Sequence, residues 1–287
     1  MNRQRYFAYG SNLDLQDWHR WCGERGFREG LLRPLFKAWL PDRCLAFTRW
    51  SGVRQSGVLD IPPARGHLVE GFVFEVDGDG WDALAQKEGS PKAYCPLDTE
   101  ALTVDGTAHS VRTFEVVPGR RQRFVAPNEA YVKIVRAGCR AFGLAEAALD
   151  AAAADAPAPS SLAGVFVYGT LMRGQSRSGV LAAVPGTSVV AGRVPGQLFD
   201  LGAFPGLRPD PGSEARVVGE LHRPIDGPIL EVLDRIEGFP GFDVPGGLFR
   251  RRILAVETAD HRAERAWAYA LAVDREYPRI ETGAWQA

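Results

Sequence analysis

Arg5-Tyr6-Phe7-Ala8-Tyr9-Gly10-Ser11-Asn12-Leu13 and Val165-Phe166-Val167-Tyr168-Gly169-Thr170-Leu171 are two versions of one element. In each, a short run of aromatic and β-branched residues favours a strand. The run ends in Tyr-Gly and a small hydroxyl residue, and a helix-like pattern is expected to follow. Such a strand-turn-helix points backbone N–H groups out of the turn. At the positive end of a helix, those groups can hold a carboxylate or a developing oxyanion. A single Tyr-Gly-Ser is a common tight turn, so the second copy is what gives the first its weight.

Other features repeat in step with it. Val69-Glu70-Gly71-Phe72-Val73-Phe74 precedes a short helix ending Lys87-Glu88-Gly89, and Val218-Gly219-Glu220-Leu221 precedes one ending Ile236-Glu237-Gly238. Tyr9 lies 79 positions before Glu88 and Tyr168 lies 69 before Glu237, while Gly71 to Glu88 and Gly219 to Glu237 span 17 and 18. This is the signature of a tandem duplication. The expected organisation is a first domain at 1–147, an Ala/Pro-rich linker at 148–163 opened by a helical stub, and a second domain at 164–287.

Composition fits two ordinary globular domains: 287 residues, 45% hydrophobic and 24% charged. The formal net charge of −1 gives no general attraction for nucleic acid or anionic membrane. Arg120-Arg121-Gln122-Arg123 and Arg250-Arg251-Arg252 read as solvated strand faces. No apolar run reaches membrane-spanning length, and no secretory leader is read in the polar first residues. Cys22, Cys44, Cys95 and Cys139 form no C-x-x-C pair, and the five histidines, including His222 and His261, have no metal spacing. We expect no metal, no cofactor and no disulfide, and a reducing cytoplasmic setting.

Strands are expected at Tyr6 to Tyr9, Arg43 to Arg49, Gln55 to Leu59, Leu68 to Val76, Gly192 to Phe199, Val217 to His222, Phe249 to Val256 and Ala266 to Val273. A loop is expected at Ala203 to Leu207, and Pro127 should open a helix carrying Tyr131. In the helix Trp81 to Glu88, the residues Trp81, Leu84, Ala85 and Glu88 share a face, as do Leu230, Leu233 and Glu237 in the helix opened by Pro228. Both glutamates therefore sit on a buried face in the last turn before a glycine stop, at the negative end of the helix dipole. Desolvation and dipole both favour the protonated carboxyl, so raised pKa values are expected. A raised carboxyl is suited to proton transfer near neutrality.

Tyr6 to Leu13, the Glu88-Gly89 element, and Pro127-Asn128-Glu129-Ala130-Tyr131 with Ile134 and Gly138 together resemble gamma-glutamylcyclotransferase. Tyr168 to Leu171, Leu233-Asp234-Arg235-Ile236-Glu237-Gly238 and the ending Pro278-Arg279-Ile280-Glu281 are similar to the shorter gamma-glutamylamine cyclotransferase type. The resemblance implies an α+β fold of two tandem small mixed β-barrels with flanking helices. It also implies cyclisation of a small-molecule γ-glutamyl amide to 5-oxoproline with release of an amine or amino acid. By that resemblance Glu88 and Glu237 are the acid/base residues. Tyr9, Gly10, Ser11, Asn12 and Leu13 line one pocket with Tyr131, and Tyr168, Gly169, Thr170 and Leu171 line the other.

Four departures stand out. Pro96 interrupts the strand after Tyr94, Phe249 replaces a tyrosine before arginine, and Pro240 to Gly247 looks inserted; the second unit also shows no counterpart of Tyr131. A nucleophilic hydrolase finds only Gly174-Gln175-Ser176-Arg177-Ser178, which lacks the final glycine of G-x-S-x-G. A binding module that holds a γ-glutamyl ligand without turnover is the other alternative.

Overall fold

The computed structural model describes residues 3–159, 162, 164–259 and 262–286. His261 and the linker residues Ser160, Ser161 and Ala163 lie outside the described residues. The chain divides into unit 1, Met1–Thr103 and Ala108–Ser160, and unit 2, Val104–Thr107 and Ser161–Ala287.

Unit 1 contains β1 (Gln4–Ala8), a 310 turn (Ser11–Leu13), α1 (Leu15–Gly23), β2 (Arg33–Arg43), β3 (Ala46–Ser51), β4 (Ser56–Asp60), β5 (Pro63–Val76), α2 (Gly78–Glu88), β6 (Tyr94–Leu102), β7 (Ala108–Val116), α3 (Glu129–Ala141) and α4 (Ala147–Ala153). Five strands close a barrel in the order β1-β5-β2-β6-β7. The seam is parallel, with Tyr6 opposite Arg112. Strands β3 and β4 form a separate hairpin.

Unit 2 contains β8 (Val165–Val167), α5 (Gly179–Ala182), β9 (Ser188–Asp200), β10 (Pro205–Pro209), β11 (Arg216–Arg223), α6 (Gly227–Glu237), β12 (Phe249–Thr258) and β13 (Ala263–Leu271). The order β8-β11-β9-β12-β13 repeats that of unit 1, again with a parallel seam, Trp267 opposite Val165. Strand β10 pairs with β9, in the region expected to be a loop.

The duplicated glycines follow from this closure. A Cβ on Gly71 would fall 2.4 Å from the Ala8 carbonyl oxygen and 2.5 Å from the Phe7 ring. On Gly219 it would fall 2.2 Å from the Val167 oxygen and 2.6 Å from the Phe166 ring. In both barrels an aromatic residue of the first strand lies across the glycine of the neighbouring strand, so no side chain fits there. The same two strands position both Tyr-Gly turns.

Several sequence expectations are corrected. Strand β2 went unread because Pro34 and Pro41 obscure its pattern; both sit where its pairing with β5 shifts register. The stub at the head of the expected linker, α4, buries Leu149 and Ala152 in the unit 1 core, so packing of that unit runs past residue 147. Arg251 is fully buried and Arg250 nearly so. The Arg251 guanidinium lies 4.8 Å from the Trp267 ring and over Phe239 and Phe242. Asp234 Oδ2 is 3.6 Å away. The Phe239–Phe242 stretch, which overlaps the apparent insertion, thus roofs a buried cation. Arg121 pairs with Asp60 and Glu115. His222 is also buried, its Nε2 3.1 Å from Glu220. Among the described residues no helix is long and apolar enough to cross a membrane.

Candidate active sites

The two glutamate helices are built alike. Each has eleven residues, Gly78–Glu88 and Gly227–Glu237. Asp77 caps the first by accepting from Gly80 N, and Asp226 the second by accepting from Ile229 N. Gly89 (φ 62°, ψ 35°) and Gly238 (φ 64°, ψ 32°) end them in the left-handed conformation that glycine adopts without penalty. Identical length and stop bring Glu88 and Glu237 to the same place beside their Tyr-Gly turns.

In unit 1 the chamber is walled by Tyr6, Tyr9, Tyr94, Phe114 and Tyr131 around the Gly10–Asn12 turn and Glu88. Asn12 Nδ2 donates to Glu88 Oε1 at 2.7 Å and to the Tyr6 hydroxyl at 2.9 Å. Asn12 Oδ1 is buried and has no protein donor. The Tyr131 hydroxyl, supplied by α3, lies 3.5 Å from the Leu59 amide N. Burial raises the Glu88 carboxyl above the ordinary glutamate range; Lys87, the Asn12 amide, Arg49 and Arg54 pull it back in part.

In unit 2 Tyr168, Gly169, Thr170 and Leu171 face Glu237 across a chamber completed by Arg177, Phe204, Pro205, Phe249 and Tyr269. Burial pushes Glu237 up to about 7, with the charge of Arg177 opposing. No side-chain amide corresponds to Asn12, because Thr170 and Leu171 stand in the corresponding stretch. Phe204 and Pro205 line this chamber.

The conserved geometry of the two tyrosines gives them a structural duty. Tyr9 donates its hydroxyl proton to the Phe114 carbonyl at 2.7 Å, and Tyr168 to the Tyr269 carbonyl at 2.6 Å. Each ring lines its chamber while its O–H ties the turn to the last barrel strand. Leu13 lies wholly in the core and is absent from the chamber wall. The helix following the first turn does not face the chamber with free N–H groups either, since Asp14 accepts from Gln16 N and Asp17 N. In the 310 turn at Ser11–Leu13, Leu13 N donates to the Gly10 carbonyl at 3.0 Å, and the N–H groups of Ser11 and Asn12 are the turn's first donors, with no carbonyl inside the turn to take them. After the second turn the helix is reduced to Gly179–Ala182.

Sequence reading missed the electrostatic shell around Glu88. Asp17 on α1 is 3% exposed and receives Arg54, Arg20 and Lys87 at 2.5, 2.7 and 3.2 Å. Lys87, adjoining Glu88, also lies 5.1 Å from the Trp18 ring. The Glu88 neighbour Lys87 was visible as a charge, but its partner Asp17 lies 70 positions away and Arg54 lies 37 positions from Asp17, so the cluster carries no local signal. Tyr94 does reach the chamber, its hydroxyl donating to the Leu59 carbonyl at 2.7 Å. Pro96 is tolerated because β6 pairs there with β7 alone, meeting β2 only at Leu102.

Residues 165–287 match the family model described as Gamma-glutamyl cyclotransferase, AIG2-like. Unit 2 belongs to this family. The barrel of unit 1 repeats the strand order of that gamma-glutamyl cyclotransferase, AIG2-like unit, so the chain is a tandem pair of one architecture. No curated protein matches the chain. Among solved structures it is similar to one named Gamma-glutamyl cyclotransferase (24% identity, 50% of this chain and 82% of that one, TM-score 0.44). It is also similar to YkqA from Bacillus subtilis (21% identity, 55% and 57%, TM-score 0.46) and to an AIG2-like protein from Mus musculus (24% identity, 44% and 88%, TM-score 0.35).

Close packing of α3 on the first turn yields a testable consequence. A Cβ on Gly138 would fall 2.5 Å from the Leu13 carbonyl carbon and 2.7 Å from Asp14 N. Gly138→Ala gains about 1 kcal/mol of helix propensity yet must push the turn that carries Ser11 and Asn12. In a chain carrying Glu237→Gln we expect any turnover to fall roughly 10- to 100-fold on adding Gly138→Ala, the cost of displacing groups of the turn by about an ångström. Initial rates of the two proteins measure it, and unchanged rates would show that the turn tolerates the shift.

Proposed function

We propose that each unit is a cofactor-independent cyclotransferase that converts a γ-glutamyl amide to 5-oxoproline and a free amine. The observation that carries this reading is a half-buried glutamate, its carboxyl raised by desolvation, beside a backbone turn in both barrels, joined in unit 1 to Asn12 by a 2.7 Å hydrogen bond.

The reaction needs little covalent help from a protein. The substrate's own α-amine attacks its γ-carbonyl carbon, a five-membered ring closes, and the amide C–N bond breaks. Holding the chain folded supplies most of what an intramolecular reaction needs. Ionised Glu88 takes the proton lost by the attacking amine, and the resulting acid gives it to the departing nitrogen, so one group serves both steps. Buried Asn12 Oδ1, lacking a protein donor, is suited to accept from the attacking amine. The Ser11 and Asn12 N–H groups of the turn are the donors this step would use for the oxygen on which negative charge develops. Glu237 takes the same part in unit 2.

Incubation of the full chain with a panel of γ-glutamyl amino acids, peptides and alkylamides should release 5-oxoproline from at least one, detected by chromatography and mass spectrometry. Saturable binding of these compounds with no 5-oxoproline from any would replace this reading with a ligand-binding module.

A further inference from the structure

The unit 1 chamber is only the inner part of a larger space. Ser11, Glu88, Tyr94 and Tyr131 line both the chamber and an outer vestibule. Arg20, Arg25, Arg49, Arg54 and Lys87 line that vestibule, against the acids Asp17 and Glu24. Four of these cations are already matched: Arg20, Arg54 and Lys87 converge on Asp17, and Arg25 pairs with Glu24. Arg49 alone among them has no carboxylate partner among the described residues. Its guanidinium lies 5.7 Å from the centre of the Tyr94 ring, on the wall shared by chamber and vestibule, and its charge is felt at Glu88.

A cation left without an anion at a water-accessible mouth is a ready recognition group, and arginine suits a planar carboxylate through two parallel N–H···O bonds. The substrate's arrangement says which carboxylate meets it. If the γ-glutamyl moiety folds within the chamber beside Glu88, the departing amine points outward, and in a leaving amino acid the carboxylate is attached one carbon from the departing nitrogen.

We propose that Arg49 is the leaving-group carboxylate subsite of unit 1, selecting γ-glutamyl amides whose amine is an amino acid or peptide over those whose amine is uncharged. This rests on the cyclotransferase reading above. The unit 2 chamber is lined by Phe204, Pro205 and Phe249, and unit 2 activity has to be removed before the selectivity is measured.

The test uses the full chain carrying Glu237→Gln and a matched pair of substrates, γ-glutamyl-alanine and γ-glutamyl-ethylamide, which differ only by the carboxylate. We expect kcat/KM to favour γ-glutamyl-alanine by 10- to 100-fold, the scale of one charge-assisted bidentate contact. Arg49→Gln should collapse that ratio toward one, chiefly through KM, and Arg49→Lys should restore part of it. Equal kcat/KM for the two substrates, or a ratio unmoved by Arg49→Gln, overturns the subsite while leaving the cyclotransferase reading intact. No 5-oxoproline from either substrate overturns the reading for unit 1 and the subsite with it.

Discussion

Replacing both Glu88 and Glu237 by glutamine is expected to lower 5-oxoproline release about 10²- to 10⁴-fold, the usual worth of a positioned general acid/base. Each single variant should silence only its own unit. Glutamine keeps the size of the side chain, and in unit 1 its carbonyl can still accept from Asn12 Nδ2, which now reaches Glu88 Oε1 at 2.7 Å. What it removes is the ability to take up a proton and return it. In the Glu88→Gln protein the remaining turnover belongs to unit 2. Because Glu237 titrates at about 7 and must begin ionised, kcat/KM should rise with pH through an inflection near 7.

Stability supplies a second readout of opposite sign. A carboxyl raised from 4.5 to about 7 binds its proton more tightly in the folded than in the unfolded chain. Its burden on the fold is therefore absent below the unfolded value, grows as pH rises toward 7 and persists above it. Glu237→Gln removes that burden, so its melting temperature at pH 8 should equal or exceed that of the parent chain. A functional group that the fold carries at a cost gives this pairing of lost activity with retained or improved stability. A double variant that still released 5-oxoproline at the parental rate would take the proton-transfer role away from both residues.

Why the two Glu-Gly helix ends could be read from the sequence, and their surroundings could not, comes down to the range of the interactions. The strand-turn element, the cross-barrel glycines and the Glu-Gly helix ends are local patterns, set by strand propensity, helix capping and close backbone approach. Duplication printed each of them twice. Strand β2 lacks such a pattern, since Pro34 and Pro41 break the alternation that would mark it. Arg251 was misjudged because a run of three arginines ordinarily means a solvated surface. Its cage comes instead from Trp267 on β13 and from Phe239 and Phe242 beyond α6. Leu13 was misassigned by its place in the motif: the turn that exposes Ser11 and Asn12 to the chamber points the next side chain into the core.

Asp17→Asn is expected to destabilise unit 1 by about 3–5 kcal/mol, the range found when one member of a buried ion pair is removed. The substitution keeps the shape of the side chain but leaves Lys87, itself 6% exposed, and partly buried Arg54 facing a neutral amide. In the parent chain burial alone would raise Asp17, but the hydrogen bonds of Arg54 and the charge of Lys87 prevail and hold it at about 2, below its ordinary 3.8. A depressed acid contributes stability that is complete above pH 4 and disappears as pH falls through about 2. The parent and Asp17→Asn proteins should therefore differ most in melting temperature near neutrality and converge below pH 2. Catalysis should move as well. Lys87 and Arg54 already pull the raised Glu88 carboxyl downward, and with Asp17 neutral their charges act on it unopposed. In a Glu237→Gln background, the acidic limb of the unit 1 pH profile should shift to lower pH in Asp17→Asn. A loss of stability with no such shift would make the Asp17 cluster a structural clamp alone, electrically independent of the acid it adjoins.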